Sequence, residues 1–255
     1  MSPRSTNIIY ENCRMFSPDG TFMAMVNRKK ANYYISNNLA DVVHDDEDGL
    51  YFKLRFIPKK VRQEDYCKEI KENLCVVCGA TQELSRHHIV PRCYKKHLPP
   101  KYVRKMFYDT VVLCFNCHSS YEEIANLYKK DLFKLRNIDI EIPQCILNKY
   151  KVGSYARTLL IRKEVMPKEA FDSLKRIIDN YIDLNGGSCE ELAANGKLQF
   201  KNECRIHIEN CYKKLVDSFG AQKFIVHWRK HFVDTMKPKH MPKCWEIKKN
   251  ILKKD

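Results

Sequence analysis

Short alternating apolar runs dominate the first third of the chain, and helical spacing takes over in the last. Ile8-Ile9-Tyr10 and Thr21–Val26 flank Ser17-Pro18-Asp19-Gly20, a strong turn signal, so this stretch predicts a β-hairpin. Arg28–Leu39 follows as a helix with Ala31, Tyr34 and Ile35 on one face. The acidic run Asp45-Asp46-Glu47-Asp48-Gly49 reads as a solvated loop. Leu50–Ile57 alternates as a strand and stops at Pro58-Lys59-Lys60. Gln63–Asn73 is a charged helical approach to a cysteine-rich centre, and Tyr121–Leu135 sets Ile124, Leu127, Tyr128 and Leu132 along one side of a helix.

After Pro143 the pattern is helical only. Tyr150–Ile161 and Lys168–Ile182 are amphipathic and separated by Met166-Pro167, where proline suits a helix start. Leu184-Asn185-Gly186-Gly187 reads as a loop, and Gln222–Met236 as the closing helix, basic on its outer face. The prediction is an α+β protein in three segments: an N-terminal hairpin–helix–strand segment (1–62), a central module (63–137) and a C-terminal helical region (138–255).

Charge narrows the partners. Lys and Arg number 46 against 31 Asp and Glu, a formal charge of +15 in 255 residues. That excess favours polyanions, either nucleic acid or an acidic membrane surface. No apolar run is long enough to span a bilayer, and the N-terminus lacks the apolar stretch of a secretory signal, so a soluble, intracellular protein is expected. Nucleus, mitochondrion and cytoplasm are not separated by these features, and oligomeric state is left open. Twelve cysteines in a lysine-rich chain without a signal peptide fit a reducing compartment better than a disulfide framework.

Four of those cysteines form two C-x-x-C pairs, Cys75-Val76-Val77-Cys78 and Cys114-Phe115-Asn116-Cys117. Two intervening residues let both thiolates of a pair approach one ion, and two pairs complete a tetrahedral structural zinc site. Gly79 supplies the backbone freedom that the first turn needs. A redox C-x-x-C would need one pair in a strand-to-helix setting, whereas here two pairs flank a histidine cluster.

That cluster is Leu84-Ser85-Arg86-His87-His88-Ile89-Val90-Pro91, and the second cysteine pair runs straight into His118. The order C-x-x-C, His-His-x-x-Pro, then L-C-x-x-C-H resembles the HNH, or ββα-metal, nucleases over about Cys75–Lys130. Neighbouring strand residues point to opposite faces, so His87 and His88 serve different purposes. The resemblance implies that His88 is the general base, and that His87 and His118 are ligands of a catalytic Mg or Mn ion. Glu122, one helical turn after His118, is a further candidate ligand. Asp109 stands where that family has the asparagine that orients the base, and a carboxylate accepts the same imidazole N–H.

Between the histidine pair and the second cysteine pair lie Lys95, Lys96, Lys101, Arg104 and Lys105, interleaved with Tyr94, Tyr102 and Tyr108. Cations with interspersed rings suit phosphate contact and base stacking. His227 and His231 share a face of the closing helix, where packing is the simpler reading than metal binding. A nucleobase deaminase does not fit, because His87-His88-Ile89 has no glutamate at the right place and neither cysteine pair follows a proline.

Several blocks outside the centre carry a broader likeness: Tyr10-Glu11-Asn12-Cys13, Lys53-Leu54-Arg55-Phe56, Lys71-Glu72-Asn73-Leu74 running into Cys75, and Trp228-Arg229-Lys230-His231-Phe232. In that order they resemble the C-terminal region of the 3'-5' exonuclease-domain-containing proteins. The likeness does not include the namesake exonuclease domain, so exonuclease activity is not carried over. It implies nucleic-acid processing or repair, with a separate exonuclease subunit as a candidate partner. Two readings follow: a metal-dependent endonuclease, or a catalytically inactive zinc-containing module that binds nucleic acid or assists an exonuclease.

Overall fold

A computed structural model describes residues 8–46, 49–58 and 65–252, apart from the side chains of 195–198. The described residues form two compact units, one running up to Lys130 and resuming at Phe219, the other comprising Asp131–Ser218.

The first unit opens with the expected hairpin, β1 (Cys13–Phe16) and β2 (Phe22–Val26), paired antiparallel. Gly20, at φ +88°, takes the left-handed step of its turn, and Asp19 Oδ1 accepts the Thr21 N–H at 3.0 Å. Helix α1 (Arg28–Ser36) is capped by the Asn27 side chain, which accepts the Lys30 N–H. Two strands follow, β3 (Ala40–Asp46) and β4 (Gly49–Leu54), giving the sheet order β2-β1-β4-β3 with β1 parallel to β4. Leu50, Phe52 and Leu54 alternate inward from β4 onto Met15, Met23, Ala24 and Ala31.

Two sequence expectations change here. Asp45 and Asp46 belong to edge strand β3 rather than to a loop, with Arg28 Nη2 on Asp45 Oδ1 and His44 Nε2 on Asp46 Oδ2, each at 2.6 Å. Glu47 and Asp48 lie outside the described residues, as do Lys59 and Lys60. The helix expected over Gln63–Asn73 is only α2 (Asp65–Lys68), with Gln63 and Glu64 outside the described residues.

The physical reason is that the backbone after α2 is tied elsewhere. Asn73 Oδ1 accepts the Ile9 and Tyr10 N–H groups (2.9 and 2.7 Å), and Asn73 Nδ2 donates to Tyr10 O. Asn12 reciprocates, donating to Lys71 O and accepting its N–H. The two asparagine blocks thus staple each other's main chain.

The centre of the unit is a two-stranded antiparallel ribbon, β5 (Leu84–His88), and a long helix. The connection out of β5 is filled by a 3-10 turn (Arg92–His97), α3 (Pro100–Val103) and a second 3-10 turn (Met106–Asp109). It returns as β6 (Thr110–Cys114), which runs directly into α4 (Phe115–Leu135). Register pairs Leu84 with Cys114, His87 with Val111 and His88 with Thr110.

The second unit is helical: the C-terminal turns of α4 lead to α5 (Gln144–Arg162), α6 (Lys168–Asn185) and α7 (Cys189–Phe219). Pro167 precedes α6 as read from sequence. Val152, Ala156, Leu159, Ile178 and Ala193 form the core between α5, α6 and the start of α7. Helix α7 is not evident from the residue pattern, since its Asn195-Gly196 step favours a turn yet lies within the helix.

Helix α8 (Ala221–Met236) returns to the first unit, a grouping that differs from the three consecutive segments expected. Its buried residues are Phe224, Ile225, Trp228, Arg229 and Phe232. The chain beyond it runs back over the cysteine region: His240 N–H donates to Val76 O at 2.9 Å, and Tyr108 Oη donates to Cys244 O and accepts the Glu246 N–H.

Candidate metal centres and active site

The ends of β6 and α4 bring the second cysteine pair against the first. The four candidate sulfurs of Cys75, Cys78, Cys114 and Cys117 all lie within 4.8 Å of one another, and Cys78 Sγ is 3.7 Å from Cys114 Sγ. Around the first pair the backbone makes a knuckle: Gly79 N–H donates to Cys75 O, and Cys75 N–H to Ala80 O. Gly79 sits at φ +80°, a conformation that favours glycine, and a Cβ there would meet His240 Nε2 at 2.9 Å and displace that ring. Burial raises the Cys75 thiol, but N–H groups at Cys78, Cys114 and Val77 outweigh it and bring the group down to about 7. Burial pushes Cys114 and Cys117 the other way. Four soft sulfurs converging on one point are the donor set that zinc takes.

A second cluster forms on the face of β5 turned to α4. Ser85 and His87, two apart on the strand, meet His118 and Glu122, one turn apart on the helix. His87 Nδ1 lies 3.5 Å from Glu122 Oε1, and His118 Nε2 lies 3.6 Å from the same oxygen. Ser85 Oγ, 2.8 Å from His118 Nδ1, fixes that ring so that Nε2 faces the cluster. The candidate ligand atoms of His87, His118 and Glu122 are within 4.8 Å of one another.

His87 is 3% exposed, and neither ring nitrogen has a hydrogen-bond partner. Buried polar atoms are nearly always satisfied, so a buried Nδ1 that lies toward the Glu122 carboxylate without a hydrogen bond fits a cation ligand. Burial, aided by His118, His88 and Lys129, pushes the His87 pKa down to about 3 and leaves the imidazole neutral with a lone pair to give. The ring is walled by Tyr121, edge-on at 5.1 Å, and by Phe232 from α8, nearly parallel at 6.1 Å.

His88 faces away from this cluster and is half-buried. Burial lowers its pKa, helped by the nearby cations Arg92, Lys95 and Arg86, so the ring is neutral near pH 7. Its Nδ1 lies 3.2 Å from Thr110 Oγ1, on the residue directly opposite in the ribbon. Asp109 was expected to make the orienting contact, and its carboxylate is instead engaged by Arg229, through Nε–Oδ1 at 2.5 Å and Nη2–Oδ2 at 2.9 Å. Only its main chain serves the centre, accepting the Ile89 N–H at 2.9 Å. The polar group that touches His88 is therefore Thr110, one residue later.

Lys95, Lys96, Lys101 and Arg104 are exposed and Lys105 is half-buried, all on the segment that follows the histidine pair. The tyrosines expected to stack on bases do not accompany them. Tyr94, Tyr102 and Tyr108 are buried, with Tyr94 packed on Phe224 and Trp228, and Tyr108 on Tyr66 and Trp245. Their spacing served the core. His231 packs flat on Tyr128 at 3.7 Å, and its Nδ1 lies 3.1 Å from Tyr121 Oη, so it buttresses the wall of His87. Ser85 and Thr110 were missed in sequence, although strand alternation from His87 and pairing opposite His88 point to them.

No protein-family model and no solved structure matches the chain. It is 30% identical to human (Homo sapiens) Exonuclease 3'-5' domain-containing protein 2 over 258 residues, which cover 95% of this chain and 40% of that protein. The protein of the same name in Drosophila melanogaster is 28% identical over 265 residues, covering 96% of this chain and 44% of its own length. Protein RRP6-like 3 of Arabidopsis thaliana is 31% identical over 127 residues, 49% of this chain and 14% of that protein. The chain thus spans about two-fifths of the length of the exonuclease-domain-containing relatives it matches. The likeness read from separate residue blocks extends over nearly the whole chain. No helix of the described residues is long and apolar enough to cross a membrane.

Proposed function

We propose that this chain is a metal-dependent endonuclease of the HNH type, acting on phosphodiester bonds in nucleic-acid processing or repair. The observation that carries the reading is His87, buried with no hydrogen bond to either ring nitrogen and with a ligand atom within 4.8 Å of those of His118 and Glu122. Names of the relatives, with their exonuclease and RRP6-like designations, support the broader class of nucleic-acid processing.

In this reading Cys75, Cys78, Cys114 and Cys117 hold a structural zinc that fastens β6 and α4 to the chain before β5. His87, His118 and Glu122 hold Mg or Mn, which when bound neutralises phosphoryl charge and assists the leaving oxygen. His88, neutral and braced by Thr110, takes a proton from the attacking water. Lys95, Lys96, Lys101, Arg104 and Lys105 contact the phosphate backbone.

The test is cleavage of single- and double-stranded DNA and RNA across a panel of divalent ions, comparing wild type with His88→Ala. Loss of the base is expected to slow cleavage by about 10²–10⁴-fold. Undiminished cleavage in the variant defeats the mechanism. Binding without cleavage in every metal assigns the chain instead to a non-catalytic nucleic-acid-binding module or an exonuclease accessory subunit.

A further inference from the structure

Bordered by Arg86, two residues before His88 on β5, is a cavity of about 460 Å³ that the metal centres leave unused. Its size is within the range of small-ligand pockets. One wall is the segment Ile9–Asn12, which the paired asparagines Asn12 and Asn73 fix against the chain before the first cysteine pair. Asn12 turns there at φ +47°, a left-handed step that asparagine tolerates better than most residues. Three of the sequence blocks that carry the broader likeness, at Tyr10–Cys13, Lys53–Phe56 and Lys71–Leu74, thus contribute residues to the lining.

Its chemistry is divided. Met15 and Met23, both part of the sheet core, give an apolar, polarisable floor. Arg86, Lys71 and Lys30 line it with positive charge. The one carboxylate in the lining, Glu11, is already engaged, accepting the Arg28 N–H at 2.7 Å. Lys71 Nζ lies over the Tyr66 ring at 3.8 Å, and Arg86 Nη2 donates to Ile9 O at 2.8 Å. Arg86 stands two residues before His88 on β5, so both side chains leave the same face of the strand. Positive charge beside an apolar floor suits an anionic group attached to a weakly polar body.

We propose that this cavity is a nucleotide subsite, taking one base and its phosphate of the strand whose backbone passes His88, with Arg86 bridging subsite and reaction centre. The proposal rests on the reading of His88 as the hydrolytic base, and it makes the N-terminal sheet part of substrate binding. Arg86 and Lys71 hold the phosphate, and the methionine floor receives the base.

The experiment is a titration of the full, zinc-loaded chain carrying ¹³C-methyl methionine, followed by NMR, with 5'-thymidylate, thymidine and inorganic phosphate as separate probes. Thymidylate is expected to shift the Met15 and Met23 methyl signals saturably and to leave Met166 and Met236 unmoved. Arg86→Gln and Lys71→Gln are each expected to weaken it by about tenfold, the scale of a lost charge-assisted hydrogen bond. Lys30→Gln, at an exposed position on α1, gives a variant whose folding is not at issue and should weaken it less. Absence of pocket methyl shifts at millimolar thymidylate overturns the proposal, and so does an equal response to phosphate alone, which marks an anion site only. Cleavage without these shifts sinks the subsite and spares the nuclease reading. Shifts in a chain that cleaves nothing in any metal leave the binding pocket and sink the nuclease reading.

Discussion

Arg229 and Asp109, 120 residues apart in sequence, form a two-pronged ion pair in the interior, with side-chain exposures of 0% and 1%. The guanidinium also donates through Nη1 to Lys249 O at 2.8 Å and lies over the Tyr108 ring at 4.8 Å. One arginine therefore joins α8, the closing tail and the residue preceding β6. Since Asp109 O also receives the Ile89 N–H, the pair fixes the end of β5, which carries His87 and His88, and the start of its partner β6.

Removing the cation leaves a buried carboxylate without a counter-charge. Arg229→Met is expected to lose about 3–5 kcal/mol of stability at neutral pH, measured by urea unfolding. Burial already raises Asp109 above the ordinary 3.8, against the lowering effect of Arg229. With Arg229 gone the folded-state pKa rises further. A carboxyl with a raised folded pKa contributes stability below its unfolded value and loses it as pH climbs through the folded one. The deficit of Arg229→Met should accordingly shrink as pH falls from neutral into the acid range. A deficit that grows with acidity would show that Asp109 is not the residue exposed to the change.

Chelation separates the two proposed metal centres. Structural zinc supplies folding free energy on which the region depends, whereas a weakly held Mg or Mn ion adds only the stabilisation of its own binding. Purified protein is expected to hold one tightly bound zinc per chain by elemental analysis. Cys75→Ser or Cys117→Ser should lose it together with cooperative unfolding of the β5–β6–α4 region. His118→Ala should keep the zinc and the fold. Zinc-free protein with an unchanged unfolding transition would dismiss the four-cysteine site as a structural element.

Local patterns were legible in the sequence, and long-range ones were not. The Ser17–Gly20 turn, the proline before α6 and the two cysteine pairs each reside within a few residues. Edge strand β3 escaped notice because only Ala40 of its seven residues is buried, so no alternation marks it and pairing with β4 alone defines it. The tyrosines after the histidine pair looked like a stacking surface because spacing does not report which side of a short helical turn faces the core. The exchange of Asp109 for Thr110 at His88 has the same origin. A partner 120 residues away draws the aspartate inward, and nothing near Asp109 in the chain announces it.

Thr110 is the side chain that bonds the proposed base, and it is anchored in turn by donating to Met106 O at 3.2 Å. Thr110→Val keeps the shape and deletes the hydroxyl. Cleavage is expected to fall by about tenfold, mainly in kcat, on the scale of one lost hydrogen bond to the base. Thr110→Ser should retain most of the rate. Equal loss in both variants would indicate a packing role for the residue, with no part in orienting His88.

His87 offers the sharpest separation of stability from function. Its ring lies between Tyr121 and Phe232 in an aromatic setting, and both buried nitrogens lack hydrogen-bond partners. A buried polar group left unsatisfied costs about 1–3 kcal/mol, and an apolar ring of similar shape avoids that cost. In zinc-loaded protein without added Mg or Mn, His87→Phe is therefore expected to unfold at higher temperature than wild type. Adding Mn should then raise the wild-type transition and leave the variant unmoved, since only a folded state with its ligand intact gains from the ion. Cleavage should be abolished in the same variant. A destabilised His87→Phe, insensitive to Mn in both forms, would make His87 an ordinary core residue and remove the foundation of the second metal centre.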